Sequence, residues 1–362
     1  MFKPSFHTLA PLAALGVFAL AHFFHAQAWV IILAGISIFV AVMSAVHHAD
    51  VVAHRVGEPF GALILALAVT VIEVALIISV MLQGDEGGTE HATLTRDAIF
   101  ATIMIVTNGV IGLSLLLGGL RHHTQSFRIE GAAPALAILI ALSTLTLVLP
   151  SFTTSTPDAT YSAVQLAFDA LVSLTLWSVF IFGQTVRHRA DFLPVQAAEP
   201  HTEESQHTRP STRQALSSLG LLLLALIAVV GLAEALAPSI EHAVDELGLP
   251  QAVIGIVIAL LVLLPETLTA IRAAIHNRLQ TSINLALGSG LASIGLTIPL
   301  VALTAVILGL PLELGLDAKG MVLLSLSFIV ATLTLVIGRS TIMQGAVHLV
   351  IFAAFLFLSI VP

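Results

Sequence analysis

Two glutamates stand where the chain carries no other charge. Glu73 interrupts Ala66-Leu67-Ala68-Val69-Thr70-Val71-Ile72-Glu73-Val74-Ala75-Leu76-Ile77, and Glu266 follows Leu263-Leu264-Pro265. An ionisable group inside a membrane is costly, and its default use is an ion pathway or a coupling site. A Lys or Arg beside it would neutralise it without function, yet no basic residue lies at that depth in any apolar run of this chain. Neutral oxygens accompany the pair: Thr70 one turn before Glu73, Thr107 and Asn108 on the next run, and Ser289 on the run after Glu266. Hydroxyls in apolar helices also bond their own backbone, so each is a ligand or a self-satisfied group. Pro265 has no N–H to donate, which predicts a loosened helix and a freed carbonyl at Leu261; a plain packing kink is the alternative.

That donor set points to cation chemistry. Hard cations such as Ca²⁺ take six to eight oxygens at about 2.3–2.6 Å. Two carboxylates, one or two hydroxyls and a released carbonyl approach that number. Two ionised glutamates plus Ca²⁺ are neutral, as are two protonated ones, whereas the empty pair holds two like charges in a poor solvent. Loaded forms therefore cross between inward and outward states and empty ones do not, which is obligatory exchange of cation for protons. One protonated and one ionised glutamate with Na⁺ or K⁺ is neutral too, so monovalent substrates satisfy the same arithmetic.

The elements that must position these groups are apolar helices. Of 362 residues 57% are hydrophobic and 9% charged, where a soluble domain carries about 25% charged, and the mean hydropathy is +1.05. Such a chain cannot solvate a globular surface, so its principal partner is the lipid bilayer. With no Cys, any metal is held by oxygen or His. A net charge of −8 without a basic run excludes nucleic acid. Runs long enough to span occur at roughly 8–26, 29–46, 60–82, 97–119, 133–150, 161–185, 215–237, 251–271, 284–309, 321–337 and 343–361. Threading them alternately puts Lys3, Arg55, Arg121, Arg128, Arg187, Arg189, Arg209, Arg213, Arg272, Arg278 and Arg339 on one side, against Arg96 and Lys319 on the other. The positive-inside rule then predicts a multi-pass protein of the inner (plasma) membrane, with its N-terminus cytoplasmic and its C-terminus outside. The first run also reads as a cleavable signal peptide ending near Ala26-Gln27-Ala28.

The fold class expected is all-α, a polytopic membrane protein of 11 transmembrane helices. Residues 1–28 form a leading helix, 29–185 a first five-helix repeat, 186–214 a polar cytoplasmic linker and 215–362 a second repeat. Five helices per arm insert the second arm upside down, the architecture of inverted-repeat transporters. Glu73 and Glu266 match between the arms; Arg96 precedes Thr107 by eleven residues, as Arg278 precedes Ser289. About 13 residues separate Glu73 from the cytoplasmic mouth and about 15 separate Glu266 from the outer one, which puts both some 20 Å deep, approached from opposite sides.

These residues resemble the calcium/proton antiporters of the cation/Ca²⁺ exchanger superfamily, most closely the bacterial ChaA-type branch. His48-Ala49-Asp50-Val51-Val52-Ala53-His54-Arg55-Val56-Gly57-Glu58-Pro59-Phe60-Gly61, leading to Glu73, is similar to the family's first repeat motif. Leu263-Leu264-Pro265-Glu266 with Gly288-Ser289 is similar to the second, and Gly338-Arg339-Ser340 with Gly345-Ala346 to the closing segment. The resemblance spans residues 28–362. It implies one leading helix, two inverted halves, and Glu73 and Glu266 as the ion-binding acids. Thr70 and Leu263 stand where many members carry Asn, and Ala292 where they often carry Gln. The second repeat thus offers fewer oxygens, which leaves room for Na⁺ and K⁺.

Other features carry less. Glu58-Pro59 opens a helix and suggests a gate at the cytoplasmic vestibule; Asp169, about eight residues from the outer face, suggests an access path. His47, Asp50 and His54 share a helical face with metal-ligand spacing, although a solvated helix end explains them equally. The linker Glu199-Pro200-His201-Thr202-Glu203-Glu204-Ser205-Gln206-His207 is a solvated loop or a cation or pH sensor, and Glu234 is interfacial. No cofactor is implied beyond the transported Ca²⁺, Na⁺ or K⁺ and H⁺. A membrane-embedded hydrolase or transferase is the remote alternative, and the chain lacks HExxH and GxSxG. A uniporting channel gains little from carboxylates that must titrate.

Overall fold

In hydrocarbon every backbone N–H and C=O must be satisfied inside the protein, so apolar runs of this length become helices. The computed structural model describes residues 6–24, 27–56, 60–81, 92–157, 159–193, 210–309 and 312–361. Its long helices are α1 (Phe6–Phe23), α2 (Ala28–Val56), α3 (Phe60–Met81), α4 (Leu94–His122), α5 (Ile129–Phe152), α6 (Ala163–Arg187), α7 (Thr212–Glu246), α8 (Ala252–Ile275), α9 (Leu279–Leu308), α10 (Ala318–Leu335) and α11 (Ile342–Ile360). Ten are long and apolar enough to cross a bilayer by length and composition; α3, with 22 residues and Glu73 as its one charge, makes the expected eleven. The chain is an all-α, multi-pass membrane protein.

Several helices outrun the apolar stretches that announced them. α2 continues to Val56 and α7 from Thr212 to Glu246, because good helix formers prolong the hydrogen-bond ladder after hydropathy has fallen. Ser211 and Gln214 start α7 with reciprocal side-chain to backbone bonds, which satisfy amide groups that have no partner within the helix. Among the described residues four helices widen into π-turns, at Ile105–Val110, Thr144–Val148, Gly183–Arg187 and Ser293–Thr297. An inserted residue of this kind re-aims the side chains around it.

The chain divides into two units. Residues Met1–His91 and Glu204–Ile254 form the first, where α2 and α7 pack along each other and α1 and α3 each lie against both. His7 ties three of these helices together. Its carbonyl accepts from Ser44 Oγ at 2.8 Å and from His48 Nε2 at 3.0 Å, its ring stacks on His47 with centroids 4.0 Å apart, and His48 Nδ1 lies 3.3 Å from Ser218 Oγ of α7.

Residues Ala92–Glu203 and Gly255–Pro362 form the second unit. α4 is its buried axis, α11 runs along α4, α6 packs on α9, and α5 packs on α9 and α10. The α4–α11 crossing is close because glycine faces it: a Cβ at Gly345 would stand 2.5 Å from the backbone N of Leu116. At one end, β1 (Gln125–Ser126) pairs antiparallel with β2 (Arg339–Ser340). At the other, Arg96 donates to Asp97 Oδ1 at 2.9 Å, Glu313 Oε1 at 2.8 Å and the Gly315 carbonyl at 3.1 Å, which ties the start of α4 to the loop after α9.

Candidate cation site

α3 is apolar on every side, so only packing decides what Glu73 meets. The helix turns Val71 outward and buries Thr70, Glu73 and Ile77 on its inner face; Glu73 is 2% exposed and Thr70 is 1% exposed. Thr70 Oγ1 has no hydrogen-bond partner. A spare hydroxyl oxygen thus stands one turn from a buried carboxylate.

In the second unit α8 passes through Pro265 without a break, and Thr269 Oγ1 donates to the Pro265 carbonyl at 2.9 Å. Pro265 is buried and Glu266 half-buried. Ser289 of α9 is half-buried too, one turn before that helix's π-turn, with open space beside Gly288.

Thr107 and Asn108 occupy the π-turn of α4. Thr107 Oγ1 donates to the Ile103 carbonyl at 2.6 Å, the self-satisfied alternative, and accepts from Asn108 Nδ2 at 3.1 Å. Asn108 Nδ2 also donates to Ser327 Oγ of α10 at 2.8 Å, while its Oδ1 lies 3.1 Å from His348 Nδ1 of α11. Because an amide oxygen only accepts, neutral His348 carries its proton on Nδ1, and Nε2 accepts from Thr334 Oγ1 at 3.1 Å. His348 is 0% exposed, and Asn108 Oδ1 keeps a second lone pair. His348, Ser327 and Thr334 were missed by a reading that followed formal charge. A polar ring within the last apolar run was the available signal.

Asp169 is 2% exposed, and its Oδ1 accepts from Thr146 Oγ1 in the π-turn of α5 at 3.2 Å. Tyr161, on the loop leading into α6, donates to the Leu145 carbonyl at 2.5 Å. Burial pushes its hydroxyl up to about 12, and the Asp169 carboxylate adds to the effect. His47, Asp50 and His54 do not assemble a metal site: His47 stacks on His7, His54 Nδ1 bonds the Asp50 carbonyl, and no group of three such ligands exists among the described residues. Glu58 and linker positions 194–209 lie outside the described residues.

The model of the sodium/calcium exchanger protein family matches residues 26–186 and 217–361, most of the chain. The chain belongs to that family. It is therefore a cation antiporter of the membrane and not an enzyme. Among relatives of this exchanger, y4hA of Sinorhizobium fredii (strain NBRC 101917 / NGR234) is 49% identical, covering 99% of this chain and 97% of its own. The sodium-potassium/proton antiporter ChaA of Escherichia coli (strain K12) is 38% identical over 90% of this chain and 87% of its own. The solved structure of YfkE superposes with a TM-score of 0.74 over 98% of this chain and 100% of that one, at 16% identity, which is a likeness of fold.

Proposed function

We propose that this exchanger moves Ca²⁺, and Na⁺ or K⁺, against protons by alternating access, with Glu73 and Glu266 each taking either cation or proton. The observation that carries the reading is Glu73, buried in an otherwise uncharged helix beside the unpartnered hydroxyl of Thr70. Thr107, Asn108 and Ser289 are the further oxygen donors in this proposal, and Glu58 and Asp169 are its gating and access residues. ChaA, at 38% identity, is named a sodium-potassium/proton antiporter. With Leu263 in place of an amide, that name favours the variant of this reading in which monovalent cations dominate.

Inverted halves fit the packing of the second unit. α6 lies on α9 as α11 lies on α4, and the helices α6 and α11 open on equivalent capping boxes, Ser162 with Gln165 and Thr341 with Gln344. The proposed topology, N-terminus cytoplasmic in the inner membrane, fits the loops that meet. Gln125–Ser126 pairs with Arg339–Ser340 on the Arg-rich side, while Ala92 meets Glu313 and Ala159 meets Gly315 on the other.

The test is transport in everted vesicles and in proteoliposomes enclosing a pH-sensitive dye, with Ca²⁺, Na⁺ and K⁺ supplied separately. Glu73→Gln and Glu266→Gln are each expected to abolish exchange with every cation while the protein stays folded in the membrane. Exchange at the wild-type rate by either variant overturns the mechanism.

A further inference from the structure

A second buried carboxylate is built differently from the glutamates. Asp169 of α6 is 2% exposed and holds a single partner, Thr146 Oγ1 on Oδ1; its other oxygen, Oδ2, is buried without one. One turn further along the same face, Ser173 is 0% exposed and its hydroxyl is likewise unpartnered. That hydroxyl is unusual within its own helix. Thr175, Ser178 and Thr185 all donate to the carbonyl four residues earlier, at 2.6–2.7 Å, the ordinary resting place of such groups. Ser173 does not, although nothing outside the protein competes for it. Thr146 sits in the π-turn Thr144–Val148, a feature that re-aims side chains and recurs at functional positions.

Buried polar atoms left without partners are costly, so their grouping calls for a ligand. We propose that Asp169, Thr146 and Ser173 form a binding site for a single positive charge, a small monovalent cation or a proton. The valence follows from the surroundings. α9, which packs on α6, contains no titratable residue, and α5 contains only Glu130 at its opposite end. α10, packed on α5, offers Lys319, whose Nζ donates to the Leu358 carbonyl. On the loop before α10, Glu313 is engaged by Arg96, and Asp317 caps Gly320. On the approach to α6, the Tyr161 hydroxyl is committed to Leu145. Among the described residues one carboxylate thus faces the cluster, and one positive charge makes it neutral where a divalent ion would leave a buried surplus. Filling the site adds a tether between α5 and α6, and α6 carries Trp177 against Gly295 in the π-turn of α9. Occupancy therefore acts on the packing of α6 against α9. This site does not depend on the role assigned to the two glutamates.

The chain supplies its own reporter, since Trp177 and Trp29 are its two tryptophans. In the purified full-length Trp29→Phe variant, Trp177 emission is followed during titration with NaCl at constant ionic strength, and separately with pH in the absence of Na⁺. The site is supported by a saturable Na⁺ response whose half-point rises as pH falls, which marks one place shared by Na⁺ and H⁺. A pH response without a Na⁺ response supports it as a proton site. Asp169→Asn should remove the response, and Ser173→Ala and Thr146→Val, which guard against misfolding of the first variant, should each raise the half-point about tenfold. Glu73→Gln/Glu266→Gln should leave it in place. A response that survives Asp169→Asn, one that vanishes in the double glutamate variant, or none to either titrant overturns the proposal.

Discussion

At the level of single residues, the chain separates groups that bind their own helix from groups with capacity left over. Thr107, Ser143, Thr144 and Ser327 donate to carbonyls four residues earlier, whereas Thr70 does not. Thr70→Val should therefore weaken cation affinity with little effect on folding. The half-maximal concentration for exchange is expected to rise about tenfold, about 1.4 kcal/mol, and an unchanged value removes Thr70 from the ligand set. His348→Ala strands Asn108 Oδ1 and Thr334 Oγ1 in a dry interior and should cost about 1–3 kcal/mol of stability, read from thermal unfolding in detergent. Since His348 and Asn108 touch, His348→Ala combined with Asn108→Ala should cost less than the two losses summed, by about 1 kcal/mol. Additive losses would show that the bond between them contributes nothing.

At the level of elements, small residues and π-turns set which helices meet. Leucine-rich faces give no preference for one apolar neighbour over another when lipid is equally apolar, so close approach falls to positions without a Cβ. Gly345→Ala pushes a methyl group onto the backbone of α4 and should destabilise by about 1–3 kcal/mol. Gly288→Ala meets open space and should be neutral or stabilising by up to about 1 kcal/mol. Unfolding of the two variants side by side checks the assignment; equal losses would contradict the α4–α11 crossing. The spans were legible because hydropathy and charge mark a slab of defined thickness. The true ends of α2 and α7 were not, because a helix stops at its caps and breakers rather than at the edge of the apolar run.

For the whole molecule, the distribution of Lys and Arg predicts which loops share a side, and no native cysteine interferes with testing it. Single Thr124→Cys and Thr154→Cys variants should label with a membrane-impermeant maleimide from opposite faces, Thr124→Cys in everted vesicles and Thr154→Cys in intact cells. Labelling of both from one face would overturn the threading. The partners of β1 and of Arg96 are loops that the distribution of Lys and Arg assigns to the same side. Of the expected ligands, Thr107 proved bound to its own backbone and Asn108 was drawn into a network with α10 and α11. Neither outcome was readable from position, since a Thr or Asn in an apolar run looks alike whichever way it turns.

By itself the order of residues determined that this chain lives in lipid, how many times it crosses, and that acidic residues stand deep within its apolar runs. Those conclusions rest on solvation, which composition and spacing measure directly. Only tertiary packing decided which oxygens are spent and which remain available: that Thr70 and Ser173 keep theirs, that His348 holds Asn108, and that Asp169 is enclosed between α5 and α6. A hydroxyl is satisfied or left spare by neighbours distant in the chain, and no local pattern records where those neighbours arrive.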